Sequence, residues 1–556
     1  MFSFRFMSPK KLAWPIVFIL LALIIGFIAG SILSNKSSAR IPFFNKENKI
    51  DALLDIINEE YVDTIDMKNM TENAITKIVD ELDPHSNYIP ANALETINEN
   101  MEGHFAGVGI NYIFHLDTIV INNILSGGPA EQAGLLAGDR IIAINDTTIA
   151  GTHFPEDRIV KILHGKVGTT VKLNILRGGI DSLKEYMITR TYVPVNSVKS
   201  AYPITEGIGI IKIYDTFTNS TFDEFISAMA KLINKGCQSF IIDLRMNKGG
   251  SFDAAVHICN EFLSKGQTIV YMEGKSVPRE YVKANGSGTL QNKQVVILMD
   301  QISASASEIV AGAIQDNDRG LIIGRRSFGK GLVQNQIELS DGSAIRLTIA
   351  RYYTPSGRNI QRKYEMGKTD EYNRDWIDRL SAGEGLYKDS ILLNTSQSFY
   401  TLSGREVYGG GGIMPDIFVP LDTTELTSYY LQLENKGIFY RFAFEYSDAN
   451  RSKLKEYTTT GDMLDYLKKQ ILLSDIVGFA ETQGIKRRTS LINISANQIL
   501  KMTYASILQN FFGEEAYFSF ILENDSLVKR AVEEIQKGND APEAVADMKY
   551  KITKSN

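Results

Sequence analysis

The sequence predicts a multidomain α+β protein with a helical N-terminal region, a small β-domain, an α/β core and a mostly helical C-terminal extension. Its 556 residues exceed what a single hydrophobic core usually supports. Apolar residues recur at helical spacing between Ile50 and Tyr61, and short β-rich runs with glycine turns occupy residues 102–180. Strands alternate with helices between 190 and 365, a pattern typical of an α/β core.

The composition is that of a globular protein and argues against several classes of ligand. Apolar residues make up 44% and charged residues 22%, and the net charge of -6 argues against binding to nucleic acid. The two cysteines, Cys237 and Cys259, lie next to apolar residues and are predicted to be buried rather than paired. The six histidines form no zinc-ligand motif, so a metal site has no support.

The first forty residues predict a retained membrane anchor. Trp14 to Leu33 is uncharged and long enough to cross a bilayer as a helix, and three basic residues precede it. A cleaved signal peptide is the alternative, although no Ala-x-Ala-like cleavage site is present. We therefore expect a cytoplasmic tail at 1–13, an anchor at 14–33 and a linker at 34–45. The rest of the chain would lie outside the cytoplasm, in the periplasm or cell envelope.

The remaining boundaries follow changes in the sequence pattern. The helical pattern of the N-terminal region is interrupted at Asp83-Pro84-His85. A polar stretch at 366–400 indicates an insertion. We predict an N-terminal helical region at 46–101, a β-domain at 102–180, an α/β core at 190–420 that carries the insertion, and a C-terminal helical region at 421–556.

The β-rich segment contains two glycine motifs that resemble those of a PDZ domain. They are the loop Gly107-Val108-Gly109-Ile110 and the turn Gly138-Asp139-Arg140-Ile141, which precedes a strand. In PDZ domains the backbone amides of this loop hold the terminal carboxylate of a peptide, which adds a strand to the sheet edge. A small β-domain whose glycines serve only its turns is the alternative.

A serine-rich motif lies between a predicted strand and a predicted helix. Its sequence is Ser303-Ala304-Ser305-Ala306-Ser307-Glu308, and an apolar helical pattern follows. A serine at the start of a helix faces backbone N–H groups that favour a developing negative charge. Serine is also a preferred helix-capping residue, so this motif alone does not establish a nucleophile.

A glycine-flanked lysine follows in Gly324-Arg325-Arg326-Ser327-Phe328-Gly329-Lys330-Gly331. The spacing approaches a phosphate-binding loop, but Gly331 stands where Ser or Thr would bind magnesium, and the next residues alternate like a strand. We therefore reject a nucleotide site. An exposed charge is one interpretation of Lys330. A general base is the other, and it requires that burial lower the lysine pKa.

A diglycine turn follows an apolar strand. The sequence is Asp243-Leu244-Arg245-Met246-Asn247-Lys248-Gly249-Gly250. Paired glycines at the end of a strand allow backbone amides to face a substrate, as an oxyanion hole requires. A plain turn is the alternative.

Together these motifs resemble the carboxy-terminal processing peptidases, also called tail-specific proteases. The resemblance runs from residue 46 to about 420. Further matching motifs are Leu82-Asp83-Pro84-His85-Ser86, Ser327-Phe328-Gly329-Lys330-Gly331-Leu332-Val333-Gln334, Tyr352-Tyr353-Thr354-Pro355-Ser356-Gly357-Arg358 and Gly412-Ile413-Met414-Pro415-Asp416. The resemblance implies a crotonase-like, ClpP-like protease core that hydrolyses peptide bonds through a serine–lysine dyad and an acyl-enzyme, with no metal or organic cofactor.

The resemblance also implies a role for each candidate residue. In the family the nucleophile precedes the lysine by 25 positions, which selects Ser305 with Lys330 rather than Ser303 or Ser307. Gln334 falls where the family's glutamine orients the lysine amine. The remaining roles are support of the site by Glu308 and oxyanion hydrogen bonds from the backbone amides of Ala306, Gly249 and Gly250.

The resemblance further implies protein substrates with a free, apolar carboxy terminus that the PDZ segment binds and delivers to the catalytic groove. Those substrates would be envelope or exported proteins, and a second copy of the chain or an activating adaptor protein is a further expected partner. Lys248 departs from the proline of many relatives and predicts a looser turn. Two alternatives stay open, namely a PDZ adaptor with an inactive protease-like core and a crotonase-like enzyme of acyl groups.

Overall fold

The computed structural model describes residues 48–115, 117–125, 127–177, 182–391 and 398–538. The chain divides into two compact units, with the boundary between Ala74 and Ile75. The first unit contains helix α1 (Lys49–Glu60) and the beginning of helix α2 (Met67–Asp80). The side chain of Asn48 caps α1 by accepting a hydrogen bond from the N–H of Ile50. The predicted helical character of this region is confirmed.

The predicted membrane anchor is not supported. In the described ranges no helix is both long enough and apolar enough to cross a bilayer. This finding contradicts the single-pass anchor and the membrane-anchored location that depended on it, so both predictions are withdrawn. The stretch 14–33 itself, with the tail at 1–13 and the linker at 34–45, lies outside the described residues.

In the second unit, the PDZ-like segment forms a six-stranded antiparallel sheet and two helices. Strand β3 is at the edge of this sheet, so a further strand can pair with it. The isoleucine, leucine and valine side chains of the inner face form the core with helix α5. The elements are β2 (His104–Gly107), β3 (Ile110–His115), β4 (Thr118–Ile124), α4 (Pro129–Gln132), β5 (Arg140–Ile144), β6 (Thr147–Thr148), α5 (Glu156–Leu163), β7 (Thr170–Leu176), β8 (Lys184–Thr189) and β9 (Thr191–Pro194), where β2 pairs with β9.

The core is built on a six-stranded sheet in the order β10-β11-β13-β17-β18-β23, in which β10 alone is antiparallel to its neighbour. The inner parallel strands β11, β13, β17 and β18 are mostly apolar because both faces of the sheet are covered. The elements are β10 (Val198–Thr205), β11 (Ile208–Ile213), β12 (Asp215–Phe217), α6 (Thr221–Asn234), β13 (Ser239–Asp243), β14 (Asn247–Gly250), α7 (Phe252–Phe262), β17 (Gln294–Met299), α8 (Ala306–Asp316), β18 (Leu321–Gly324) and β23 (Ile417–Phe418).

A second, antiparallel sheet of five strands lies in the same unit and was not predicted as a sheet. It joins β1 of the N-terminal region to strands that are far away in the sequence. The strands are β1 (Asn87–Ile89), β15 (Thr268–Glu273), β16 (Glu280–Lys283), β19 (Leu332–Glu338) and β20 (Ala344–Tyr353). Helix α3 (Ala91–Glu102) follows β1. The predicted insertion at 366–400 contains helix α9 (Thr369–Ser381), a 3₁₀ turn (Lys388–Ser390) and strand β21 (Ser398–Tyr400), which pairs with β22 (Glu406–Tyr408) beyond the insertion.

The C-terminal region is helical, as predicted. Most of its helices share a core of their own, whereas the last one packs its apolar face on the central sheet of the core. The helices are α10 (Ser428–Asn435), α11 (Ile438–Ala449), α12 (Arg451–Leu454), α13 (Thr460–Leu467), α14 (Leu472–Thr482), α15 (Thr489–Ile494), α16 (Ala496–Leu522) and α17 (Ser526–Gln536). The predicted α+β multidomain class is therefore confirmed.

Candidate active site

Ser305 caps the start of helix α8 in a strained backbone conformation. Its φ of 53° and ψ of -112° lie outside the regions that residues with a side chain favour. Gly249 packs so closely that a Cβ at that position would lie 2.6 Å from the Cβ of Ser305. The diglycine turn and the helix start therefore meet at Ser305, where the first N–H groups of the helix have no partner within the helix.

The three serines of the motif have different surroundings. The hydroxyl of Ser303 donates to the carbonyl of Leu244 at 2.9 Å, and that of Ser307 donates to Oδ1 of Asn247 at 2.8 Å. Both serines are 0% exposed. Ser305 is partly exposed, and its hydroxyl donates to no acceptor in the part of the chain that the structure describes. Of the three, Ser305 is therefore the serine that a substrate can reach.

The amine of Lys330 is held in one direction by a short chain of hydrogen bonds. Its Nζ donates to Oε1 of Gln334 at 3.0 Å. Gln334 Nε2 in turn donates to the carbonyl of His85, which belongs to the Asp-Pro-His motif of the N-terminal region. The glutamine is thus fixed at both ends of its amide, so that its oxygen faces the lysine.

The surroundings of Lys330 lower its pKa. Burial has the largest effect, because it disfavours the charged amine, and the positive charge of Arg346 acts in the same direction. The carboxylates of Asp83 and Glu308 oppose this shift. A lower pKa increases the fraction of neutral amine near pH 7, which is the form that a general base needs.

Two buried side chains connect the backbones of Ser305 and Lys330. Oε2 of Glu308 accepts the N–H groups of both residues, each at 2.8 Å. The hydroxyl of Tyr352 lies 3.1 Å from the carbonyl oxygen of Ser305 and 2.8 Å from that of Lys330. The other oxygen of Glu308 accepts the hydroxyl of Ser327 and the N–H of Gly329. The Ser305 helix start and the Lys330 loop therefore cannot move apart without breaking several hydrogen bonds.

In this structure no hydrogen bond joins Ser305 Oγ to Lys330 Nζ within the described residues.

The predicted oxyanion donors differ in whether their N–H groups already have an acceptor. Ala306 is the first residue of helix α8, and no acceptor in the described chain takes its N–H. The N–H of Gly249 donates to Oδ1 of Asn247 at 2.9 Å, and Gly250 lies in strand β14 paired with β12. The N–H of Ala306 is therefore available to an oxyanion, whereas the N–H of Gly249 already donates to a side chain of the same turn.

An apolar pocket of about 340 Å³ opens beside Lys330. Trp376 of helix α9 forms one wall, and its ring lies 6.4 Å from that of Phe328. The imidazole of His85 lies 3.0 Å from the hydroxyl of Tyr372, and burial together with the charge of Lys330 lowers the pKa of His85 to about 4. The imidazole is therefore neutral at pH 7. The lining residues are His85, Lys248, Ile302, Ala304, Phe328, Lys330 and Trp376.

The PDZ-like loop keeps backbone N–H groups available next to the edge strand β3. The carbonyls of Val108 and Gly109 accept hydrogen bonds from Ala130 and Leu125, at 2.9 and 3.0 Å. No acceptor in the described chain takes the N–H of Val108 or Gly109. Gly109 has a φ of +79° and lies against Gly128, so a side chain would be strained there. The loop begins at Gly107, the last residue of β2, and ends at Ile110, the first of β3.

Other sequence-derived expectations concern metals and thiols. The described ranges contain no group of three or more His, Cys, Asp or Glu side chains that could hold a metal ion. Cys237 and Cys259 are free and buried, as predicted. The sequence assigned no role to Arg346 or Trp376, nor to Asn247 and Tyr352, although both of the latter stand in motifs named above.

Comparison with known proteins places most of the chain in recognised families. The sequence model of peptidase family S41 matches residues 207–373, that of the PDZ domain matches 102–186, and a family of unknown function matches 429–513. The chain is 34% identical over 351 residues to a carboxy-terminal-processing protease of Bartonella bacilliformis, covering 61% of this chain and 80% of that protein.

Two further similarities were found. The chain is 35% identical over 353 residues to a probable CtpA-like serine protease of Staphylococcus epidermidis, which covers 62% of this chain and 70% of that protein. Among solved structures, the photosystem II D1 C-terminal processing protease is 28% identical, with 56% of this chain and 84% of that chain covered and a TM-score of 0.33. The chain belongs to peptidase family S41, the carboxy-terminal processing serine proteases.

Proposed function

We propose that this family member is an endopeptidase that uses Ser305 as nucleophile and Lys330 as general base, and that its PDZ domain binds the free, apolar carboxy terminus of a protein substrate. The observation that carries the proposal is the attachment of both residues to one carboxylate oxygen of Glu308, at 2.8 Å each. This attachment joins a reachable serine to a partly buried lysine of lowered pKa.

The reaction begins with proton transfer from Ser305 to the neutral amine of Lys330. The serine oxygen attacks the carbonyl carbon of the scissile bond, and the oxyanion accepts the N–H of Ala306 at the helix start. Lys330 then returns the proton to the departing amine, and water hydrolyses the acyl-enzyme by the reverse proton path. Gln334 keeps the lysine amine oriented through its 3.0 Å hydrogen bond.

A second oxyanion donor and a direct contact within the dyad require two local rearrangements. The N–H of Gly249 would have to exchange Oδ1 of Asn247 for the oxyanion, and a hydroxyl–amine hydrogen bond would have to form between Ser305 and Lys330. The positive φ values of Gly249 and Gly250, 99° and 132°, are accessible to glycine without a steric penalty. Substrate binding can therefore complete the site by small backbone rotations.

The PDZ part of the proposal rests on the unpaired N–H groups of Val108 and Gly109. A terminal carboxylate can accept both, while the peptide pairs with the free edge of β3 and places its last side chain against the apolar core of the domain. Amidation of the substrate terminus removes this anion and should weaken binding.

The test is cleavage of an unfolded protein with an apolar carboxy terminus, followed by mass spectrometry. The parent is compared with Ser305→Ala and Lys330→Ala, and a second series uses a substrate with an amidated terminus. Cleavage by the parent alone, slowed by amidation, is the expected result. Cleavage by all three proteins would refute the dyad, and equal rates for free and amidated termini would refute recognition by the PDZ domain.

A further inference from the structure

A cleft of about 930 Å³ lies between the core and the C-terminal helices. Asn100 of helix α3 contributes to its wall, as do Thr216 and Lys248 of the core and Gln509 of helix α16. We propose that this cleft binds an extended, unfolded segment of the protein substrate beyond the residues next to the scissile bond. The inference rests on the proposed function and assigns a role to the C-terminal helices.

The cleft adjoins the candidate active site at Lys248. Lys248 borders both the cleft and the apolar pocket beside Lys330. Thr216, on the cleft wall, donates its hydroxyl hydrogen to the carbonyl of Gly249 at 2.7 Å. When the scissile bond of a polypeptide lies at Ser305, the chain on this side of the diglycine turn can therefore extend into the cleft.

The lining matches a polypeptide of varied sequence better than a small charged ligand. Four charged residues of the lining pair with one another: Lys199 with Glu514 at 2.8 Å and Lys248 with Asp215 at 3.0 Å. Aromatic side chains lie between these polar groups, with the rings of Tyr214 and Phe518 at 5.4 Å. Apolar surface with scattered hydrogen-bonding groups suits a chain with both kinds of side chain. A volume near the upper end of ordinary ligand sites accommodates several residues.

The wall made by the C-terminal helices is firmly attached to the core. Arg245 donates to both carboxylate oxygens of Asp525 at 2.9 Å, and helix α17 packs on the central sheet. Tyr202 of strand β10 donates to the carbonyl of Ser519 in helix α16 at 3.3 Å. The cleft is therefore formed before the substrate arrives, which lowers the entropic cost of binding an extended chain.

The first test narrows the cleft with tryptophan. Asn100→Trp and Asn92→Trp change the same residue type on helix α3; both asparagines are exposed, but only Asn100 lines the cleft. Gln509→Trp, with Glu515→Trp as its control on helix α16, repeats the comparison on the wall made by the C-terminal helices. The quantity measured is kcat/KM for an unfolded protein divided by kcat/KM for a short peptide with the same cleavage site.

We expect this ratio to fall about tenfold or more in both cleft variants and to keep the parent value in both controls. The reason is that contacts remote from the scissile bond raise kcat/KM only for substrates long enough to reach the cleft. An unchanged ratio in the cleft variants, or an equal fall in the controls, would overturn the inference. A parent that cleaves neither substrate would instead refute the proposed function.

The second test does not require turnover. Because Cys237 and Cys259 are buried, a cysteine introduced at the surface of the full-length Ser305→Ala protein can be labelled selectively with a photoreactive maleimide. Illumination with an unfolded protein should cross-link Asn100→Cys at least about tenfold more than Asn92→Cys. A folded version of the same protein should give little product at either position. Equal labelling of the two positions, or preference for the folded protein, would overturn the inference.

Discussion

Replacing Glu308 by glutamine tests whether one buried carboxylate holds the two halves of the site together. Its four donors are the N–H groups of Ser305, Gly329 and Lys330 and the hydroxyl of Ser327, at 2.5 to 2.8 Å. An amide oxygen can accept two of them, and the serine hydroxyl can rotate to accept instead of donating. One backbone N–H would then face the amide NH₂ group without an acceptor.

The size of the effect follows from this count. An unpaired buried N–H costs about 1–3 kcal/mol, and each remaining hydrogen bond weakens because its acceptor loses the charge. The neutral amide avoids part of the desolvation cost that raises the pKa of Glu308. We therefore expect Glu308→Gln to lower the free energy of unfolding of the core by about 2–4 kcal/mol and to reduce kcat.

The assay is urea unfolding followed by the fluorescence of Trp376, which lies beside the site. The matched control is Glu261→Gln in the same core, because one oxygen of Glu261 accepts both hydrogen bonds, from the N–H and hydroxyl of Thr289 at 2.9 and 3.0 Å. The amide can preserve these bonds, so a loss of about 1 kcal/mol is expected. Equal stability losses in the two variants would refute the reasoning.

Three further predictions concern the same site. Arg346→Met removes a charge that lowers the Lys330 pKa, so the rise of kcat with pH should move to higher pH; a shift to lower pH would contradict the account. Trp376→Ala should raise KM for peptides with a large apolar residue at the cleavage site by about tenfold, whereas Ile377→Ala, on the same helix and 56% exposed, should not. Tyr352→Phe should change kcat more than KM, and lower it, because it removes the hydrogen bonds to the carbonyls of Ser305 and Lys330 and leaves the apolar pocket unaltered. An unchanged kcat would show that the hydroxyl contributes only to packing.

Much of the fold could be predicted because its strands and helices carry strong local patterns. The buried strand at 294–299 and the helix after Ser305 are apolar runs whose pattern depends only on neighbouring residues. The alternation after Gly331 indicated strand β19 and so excluded a phosphate-binding loop. The five-stranded sheet was missed, because its pairing of Asn87 with Arg346 depends on contacts between distant segments.

Individual residues of the candidate site could be predicted from the sequence, but the hydrogen bonds and contacts between them could not. Short motifs, taken together with the family resemblance, predicted Ser305, Lys330 and the diglycine turn, whereas nothing local shows that the hydroxyl of Tyr352 reaches both dyad carbonyls. The hydrogen bond from the Gly249 N–H to Oδ1 of Asn247 was equally hidden, because the side-chain oxygen of an asparagine in a turn has several donors within reach. Trp376 was assigned to an insertion, and polar neighbours in the sequence concealed its position beside Lys330.

The most direct test of the central claim is to trap the acyl-enzyme. The parent is mixed with an activated ester of a short apolar peptide, quenched in acid, and digested for mass spectrometry. We predict one added acyl group on Ser305 in the parent, and none in Ser305→Ala. Lys330→Met, which preserves the length and apolar stem of the side chain, should acylate at least a hundredfold more slowly. Acylation of Ser303 or Ser307, or an undiminished rate in Lys330→Met, would contradict the account.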